Sequence, residues 1–238
     1  MVSREEPCLP SHSLTTDPTT NFDPAHDGFG FPNPVGWAPN RTGGGALLGR
    51  LDALVYEKGL CFGMVVASLA TFYAAGPRRP PLAELPLTAN LLETLRECQL
   101  RQFQPRVVLT TVLDWLASGG GRPERVFGRI RAVGESPDPH VLCFGPALNR
   151  RFFSCFARAH AVVPHRVEGA RVYVYDPNYP RDRERFVEFW RGGAQFAYDG
   201  FRSREGWGMT LVRGVVRGAP KVFWEHTSGA LRGGPQLP

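Results

Sequence analysis

Residues 60–76 read LCFGMVVASLATFYAAG, a stretch without a charged side chain. Its residues are apolar almost all round the helical period, which predicts a helix in the centre of the fold rather than on its surface. The uncharged run from Gly59 to Pro77 has 19 residues, the lower limit for a membrane-spanning helix. Its glycines, its proline and the hydroxyls of Ser68 and Thr71 favour a buried core helix, and we predict no membrane span.

Further helical patterns follow this stretch. Apolar residues recur every three or four positions from about Leu87 to Phe103. After an interruption at Pro105 the pattern continues from Val107 to Ser118. Residues Arg122 to Val133 form a further amphipathic candidate, with Pro123 near its first turn. The first half of the chain is therefore predicted to be mainly helical.

The second half of the chain has a different character. Short segments rich in β-branched and aromatic residues alternate with turn residues, which is the pattern of antiparallel strands. These segments are PHVLCFGPA (139–147), AHAVVPHRVE (159–168), ARVYVYDP (170–177), RFVEFWR (185–191), AQFAYDG (194–200) and GMTLVRGVV (208–216). Helices followed by strands predict an α+β fold whose helical N-terminal half packs on an antiparallel sheet in the C-terminal half.

The length of 238 residues allows one large domain, and a hydrophobic content of 42% excludes a wholly disordered chain. We predict a single domain over residues 21–228. Residues 1–20 are polar and are expected to form a mobile arm, and residues 229–238 are expected to be a frayed tail. Residues 21–45 mix glycine and proline with aromatic side chains that need burial, so we expect this segment to pack on the core.

Charge and cysteine usage restrict the partners and the compartment. The formal net charge is +6, and residues 122–191 hold 13 arginines against 8 acidic residues. Without a known nucleic-acid-binding pattern, this excess is interpreted as a solvated surface, and no specific nucleic-acid partner is predicted. Five cysteines without a CxxC pair argue against a disulfide framework or a tetrahedral zinc site. The N-terminus lacks the apolar core of a secretory signal, and the cysteine usage fits a reducing compartment. We therefore expect a cytoplasmic protein.

Cys61 has the most informative surroundings of the five cysteines. It opens the apolar helix, where the unpaired backbone N–H groups favour the thiolate, which is the nucleophilic form. Gly59 and Gly63 on either side allow tight turning and close approach of a substrate. The alternative is a buried structural cysteine, which is the usual fate of a lone thiol.

A histidine and an aspartate occur together about 100 residues later. AHAVVPHRVEGARVYVYDPNYP is predicted to form a hairpin, and a turn centred on Glu168 would place His160 opposite Asp176. A carboxylate there holds one imidazole nitrogen and leaves the other for a thiol. If the register slips by two, Asn178 would take the place of Asp176 as the orienting residue, because side chains two apart share a face. Pro164 requires the first strand to be an edge strand or to contain a bulge.

Three motifs in this order resemble the papain-like cysteine peptidase superfamily. They are GLCFGM at 59–64, HAVV at 160–163 and VYVYDPNYP at 172–180. The likeness covers roughly residues 55–185 and is greatest to compact bacterial branches, which include peptidases that process double-glycine leader peptides. It implies a papain-like fold with Cys61 as nucleophile, His160 as general base and acid, and Asp176 as the orienting residue.

The sequence departs from this family at the oxyanion hole. The family usually carries a glutamine about six residues before the cysteine, where this chain has Val55, and the first glutamine of the chain is Gln99. Backbone N–H groups near Cys61 are expected to supply part of the hole, and Asn40 is a weak side-chain candidate. The spacing of His160, His165, Cys143 and Cys155 matches no standard zinc pattern, so neither a metal nor a cofactor is predicted.

Two functions from different classes remain open at this point. The first is a cysteine-dependent hydrolase that acts on an amide or peptide bond of a peptide or protein substrate through Cys61, His160 and Asp176. The second is a papain-like scaffold that binds a peptide or protein partner with little or no catalysis, as the missing glutamine suggests. The residue pattern does not separate a peptidase from an amidase, deamidase or acyl transferase, and it leaves the oligomeric state undetermined.

Overall fold

Helices occupy the first half of the chain, as the periodicity predicts. A computed structural model describes residues 20–35, 59–75, 81–133, 140–145, 159–199, 201–202 and 207–220. Within these ranges the α-helices are α1 (Pro24–Asp27), α2 (Cys61–Ala75), α3 (Ala89–Leu100), α4 (Pro105–Ala117) and α5 (Pro123–Val133), with short 3-10 turns at Leu82–Glu84 and Arg101–Phe103. Residues 1–19 of the predicted arm and the predicted tail at 229–238 lie outside the described residues.

The helix ends follow from capping chemistry. Thr88 precedes α3, and its hydroxyl accepts the backbone N–H of Leu91 at 3.2 Å, which satisfies one of the unpaired donors of the first turn. Pro105 begins α4 rather than merely interrupting a helical region, because a proline fits the first helical position, where no N–H is required. Within the described residues, no helix is both long enough and apolar enough to cross a membrane.

An antiparallel sheet forms the second half and confirms the α+β class. Its strands are β1 (Val141–Gly145), β2 (His160–Glu168), β3 (Arg171–Tyr175), β4 (Phe186–Trp190), β5 (Gln195–Tyr198), β6 (Phe201–Arg202) and β7 (Gly208–Val212). The seven described strands lie in the order β6-β5-β4-β3-β2-β1-β7, and each neighbouring pair is antiparallel. The sequence pattern predicts six of these strands, and the two-residue β6 is too short to give a pattern.

Two hydrophobic cores lie on opposite faces of the sheet. Alternate residues of β1 show this: Cys143 belongs to the core that contains α2 and α3, whereas Leu142 belongs to the core that contains Val126 of α5. Helix α2 is apolar on all sides because it is buried between α3 and the sheet, and Val65 and Val66 have no exposed surface. The amphipathic α5 covers the other face, so the helices do not all pack on one side.

The N-terminal segment packs on the central helix and the sheet, as its aromatic content predicts. The Phe22 ring lies 5.4 Å from that of Phe72 on α2 and 5.8 Å from that of Tyr175 on β3. The backbone N–H of Phe29 donates to the Tyr175 hydroxyl at 3.0 Å, and the ring of Phe29 has no exposed surface. Trp37 lies outside the described residues.

The hairpin of β2 and β3 does not have the predicted register. Its turn is centred between Gly169 and Ala170 rather than on Glu168, with Glu168 paired to Arg171 and a positive φ of 56° at Gly169. A bulge between Pro164 and Arg166 then shifts the register, and Val163 pairs with Tyr175. The prediction that Pro164 requires an edge or a bulge is confirmed, and the bulged residue is His165.

The bulge decides which face His160 occupies. Without it, the pairing near the turn would place His160 on the opposite face from Asp176, because a one-residue shift exchanges the two faces of a strand. The extra residue of the bulge returns His160 to the same face of the sheet as Asp176. The carbonyl of His165, released from the ladder, instead accepts the backbone N–H of Thr20 at 2.8 Å. The local irregularity thus places one candidate catalytic side chain and anchors the start of the N-terminal segment.

Candidate active site

Cys61 is the first residue of α2 and is nearly buried, with 9% of its surface exposed. The first N–H groups of an α-helix have no acceptor within the helix, so their partial positive charge lies near the thiol and stabilises an anion there. The turn is fixed from two sides. Leu60 N–H donates to Asn33 Oδ1 at 2.6 Å, and Gly63 N–H donates to Gln99 Oε1 at 2.7 Å.

His160 lies between this thiol and a carboxylate. It is the first residue of β2, and its ring is near enough to the Cys61 side chain for the two groups to interact electrostatically. Its Nε2 lies 2.9 Å from Asp176 Oδ2, which is the distance of an ion pair, although the N–H direction departs from that of a full hydrogen bond. Because Nε2 faces the carboxylate, Nδ1 is the nitrogen that remains for the thiol. The structure brings together the three residues that the sequence selects.

Asp176 follows the last residue of β3 and has no exposed surface. A buried carboxylate is stable only when other groups satisfy its oxygens. Oδ1 accepts the backbone N–H of Asn178 at 2.7 Å, and Oδ2 accepts the hydroxyl of Tyr198 in addition to facing His160. The Tyr198 ring packs on Phe144, with ring centroids 5.1 Å apart, and both rings lie beside the ring of His160.

The charge state of His160 follows from these contacts. Burial is the largest single effect and lowers its pKa, but the hydrogen bonds and charges of Asp176 and Cys61 together outweigh burial and raise the pKa to about 10. His160 therefore carries a positive charge near neutral pH. An imidazolium beside a cysteine is the form that stabilises a thiolate.

The other described cysteines have different surroundings. Burial raises the pKa of Cys98 to about 12, and burial also raises the pKa of Cys143. Both thiols are free and buried. Of the three described cysteines, Cys61 is the one with a histidine partner.

The structure separates the roles of the remaining candidates. The side-chain oxygen of Asn178 accepts from Asn33 Nδ2 at 3.1 Å instead of facing His160, so Asp176 is the carboxylate that orients the ring. Asn40 lies outside the described residues. Gln99, the first glutamine of the chain, directs its amide oxygen to a backbone N–H of α2 and is therefore a cap for that helix.

Two residues that help to build the site, Tyr198 and Asn33, are not marked by any local pattern in the sequence. Tyr198 is 22 residues from its carboxylate partner Asp176, and Asn33 is 145 residues from Asn178. The sequence marks Asn33 only as part of the aromatic segment, and nothing in its spacing predicts a contact with the turn before Cys61. Both contacts depend on how separate elements pack.

An open groove of about 400 Å³ includes Tyr198, the partner of Asp176, among its lining residues. Its walls consist of Asp182, Glu184, Arg185, Phe186, Glu188, Ala197, Tyr198 and Asp199. The charges in this wall are largely paired, since Arg185 contacts Asp182 at 3.3 Å and Asp199 at 2.8 Å. Among the described residues, no three His, Cys, Asp or Glu side chains are grouped closely enough to hold a metal ion.

Comparison of the chain with protein-family models, with curated proteins and with solved structures gives no match. The arrangement of Cys61, His160 and Asp176 is therefore the basis for assigning a function.

Proposed function

We propose that this chain is a cysteine-dependent hydrolase that cleaves an amide or peptide bond with a papain-like arrangement of residues. The observation that supports the proposal is the position of His160 between two partners. Its Nε2 lies 2.9 Å from the buried carboxylate of Asp176, and its ring interacts electrostatically with the Cys61 side chain. Covalent catalysis generally uses three groups: a nucleophile, a base near it and a third group that orients the base.

The reaction proceeds in two halves. In the resting enzyme the proton of the Cys61 thiol is already held by His160, and the Cys61 thiolate attacks the carbonyl carbon of the substrate. The C–N bond then breaks, the leaving amine takes the proton from His160, and a thioester remains on Cys61. Water, deprotonated by His160, hydrolyses the thioester and releases the acid and the free thiol.

The rest of the site supports these steps electrostatically. Asp176 holds the ring of His160 in place and stabilises its positive charge. The backbone N–H of Cys61, at the first position of α2, is the proposed donor to the oxyanion of the tetrahedral intermediate. We further propose a peptide or protein in the cytoplasm as the substrate.

Thiol reactivity tests whether the three residues act together. We expect iodoacetamide at pH 7 to modify Cys61 in preference to Cys98 and Cys143 in a Cys8→Ser/Cys155→Ser background, measured by peptide mass spectrometry. His160→Ala should slow the reaction of Cys61 by about tenfold or more, since an unassisted thiol is only a few per cent thiolate at this pH. Asp176→Asn should also slow it.

Peptide hydrolysis tests the reaction itself. The full chain is incubated with a library of internally quenched fluorescent peptides and with denatured casein, and new amino termini are identified by mass spectrometry. Cys61→Ala is the matched control, because it removes the sulfur and leaves the fold intact. The proposal is wrong if wild type cleaves no faster than Cys61→Ala and Cys61 alkylation does not depend on His160. Selective binding of a peptide without cleavage would instead favour the scaffold function.

A further inference from the structure

Asn33 connects the two parts of the candidate active site. Its side-chain oxygen accepts the backbone N–H of Leu60 at 2.6 Å, and its side-chain nitrogen donates to Asn178 Oδ1 at 3.1 Å. Its own backbone N–H donates to the carbonyl of Pro177 at 2.8 Å. Leu60 immediately precedes Cys61, so one side chain bonds to the turn that carries the nucleophile and to the loop after the orienting carboxylate.

This link joins elements that are far apart in the sequence. Cys61 is on α2 in the helical half, whereas Asp176 ends a strand of the sheet. The segment that carries Asn33 is itself fixed, because the backbone N–H of Phe29 donates to the hydroxyl of Tyr175 and the ring of Phe29 is buried. The amide of Asn33 is therefore held in place from the sheet side when it meets the turn.

The turn before Cys61 fits this amide closely. Gly59 has a φ of 93°, a conformation that favours glycine. A Cβ on Gly59 would lie 2.5 Å from Asn33 Nδ2 and 2.6 Å from Asn33 Oδ1, so any larger residue would displace the side chain. The asparagine amide also matches its two partners, one a donor and the other an acceptor.

We propose that Asn33 is a positioning residue that sets the placement of the Cys61 thiol relative to the His160–Asp176 pair. It contacts none of the reacting atoms and acts through the turn at Leu60 and the loop at Asn178. The inference rests on the proposed hydrolase function and adds to it a residue outside the three that react.

The test compares the pH dependence of Cys61 alkylation in wild type, Asn33→Ala and Asn33→Asp, in the background without Cys8 and Cys155. At pH 7, Asn33→Ala should react about tenfold more slowly, as expected when one part-buried and one exposed hydrogen bond are lost. Above about pH 9.5 the two rates should converge, because a free thiol ionises there without help. Asn33→Asp should recover only part of the rate, because aspartate still accepts from Leu60 but adds a negative charge near the thiolate.

The controls separate this inference from the proposed function. Asn90→Ala, at an exposed asparagine at the start of α3, should react like wild type. If His160→Ala reacts as fast as wild type, the proposed function fails. If His160→Ala is slow but Asn33→Ala matches wild type at pH 7, the Asn33 inference alone is overturned.

A second variant covers the case in which Asn33→Ala does not fold. Asn178→Ala removes only the acceptor of the Asn33 amide and keeps the backbone N–H that donates to Asp176. We expect a smaller loss of reactivity at pH 7 than in Asn33→Ala, with the same convergence at high pH. An unchanged rate at pH 7 in a folded Asn178→Ala protein would overturn the inference.

Discussion

At the scale of single residues, the site depends on how a fully buried carboxylate is stabilised. Asp176 receives a backbone N–H, a tyrosine hydroxyl and the histidine ring. Each of these partners offsets part of the free energy that is lost when a charge leaves water. The same three contacts fix the direction of the carboxylate, so the stability of the site and the orientation of His160 have a common cause.

Tyr198→Phe tests this connection, because it removes the hydroxyl and keeps the ring that packs on Phe144. We expect the free energy of unfolding to fall by about 1–3 kcal/mol, the usual effect of leaving a buried acceptor with one partner fewer. Urea unfolding at pH 7 measures this change. Tyr179→Phe is the matched control, since the hydroxyl of Tyr179 bonds to the exposed Asp199, and its loss should change stability little. Equal effects of the two variants would contradict the account of Asp176.

At the scale of the elements, the contact between α2 and α3 depends on one glycine. A Cβ at Gly63 would lie 2.1 Å from the carbonyl oxygen of Leu95, which is backbone and cannot rotate away. The close approach also brings Gln99 within reach of the Gly63 N–H. The position of Cys61 in the core is therefore set partly by the absence of a side chain two residues later.

Gly63→Ala should lower the free energy of unfolding by about 1–3 kcal/mol or more, as overpacking does in a well-packed core. Gly128→Ala is the matched control, because Gly128 is also within a helix, α5, and a Cβ there would meet nothing within 4 Å. That variant should gain about 0.5–1 kcal/mol from the better helix propensity of alanine. Denaturant unfolding of the two variants measures whether each free energy of unfolding falls or rises relative to wild type. A stabilised Gly63→Ala protein would show that the helices do not approach so closely.

At the scale of the whole molecule, two histidines with oppositely shifted pKa values are expected to give stability a pH optimum. Burial, with a smaller effect from the Arg166 charge, lowers the pKa of His165 from its ordinary value of 6.5 to about 4, against an opposing effect of Asp23. The unfolded chain then takes up a proton that the folded chain does not, so stability falls as the pH falls from 6.5 to 4. For His160 the raised pKa of about 10 reverses the sign, and stability is lost as the pH rises from 6.5 to 10.

We therefore expect the melting temperature of wild type to be highest near pH 6.5. His165→Gln should flatten the acid side of the profile, because it removes the buried ring that resists protonation. His160→Gln should flatten the alkaline side, where it removes the ion pair with Asp176. Calorimetry from pH 4 to pH 10 measures both slopes. The assignment is wrong if each variant keeps the wild-type slope on the side that its histidine is expected to control.

Much of this architecture could be predicted from local patterns. The apolar run places Cys61 at a helix start, and the alternating segments give the strands, because both signals depend on neighbouring residues. The register of the hairpin could not be predicted correctly. Its turn at Gly169 and its bulge at His165 each shift the pairing, and only their combined effect keeps His160 on the face of Asp176. The contacts of Asn33 depend on tertiary packing and leave no periodic signal.

The bulge at His165 also restricts how this protein can evolve. A gain or loss of a single residue between the bulge and the tip of the hairpin would exchange the faces of Ala161 and His160, and would remove the histidine from its carboxylate. Changes by two residues would preserve the faces. Descendants that keep the site should therefore inherit the bulge, and tolerated length changes in this hairpin should come in even numbers.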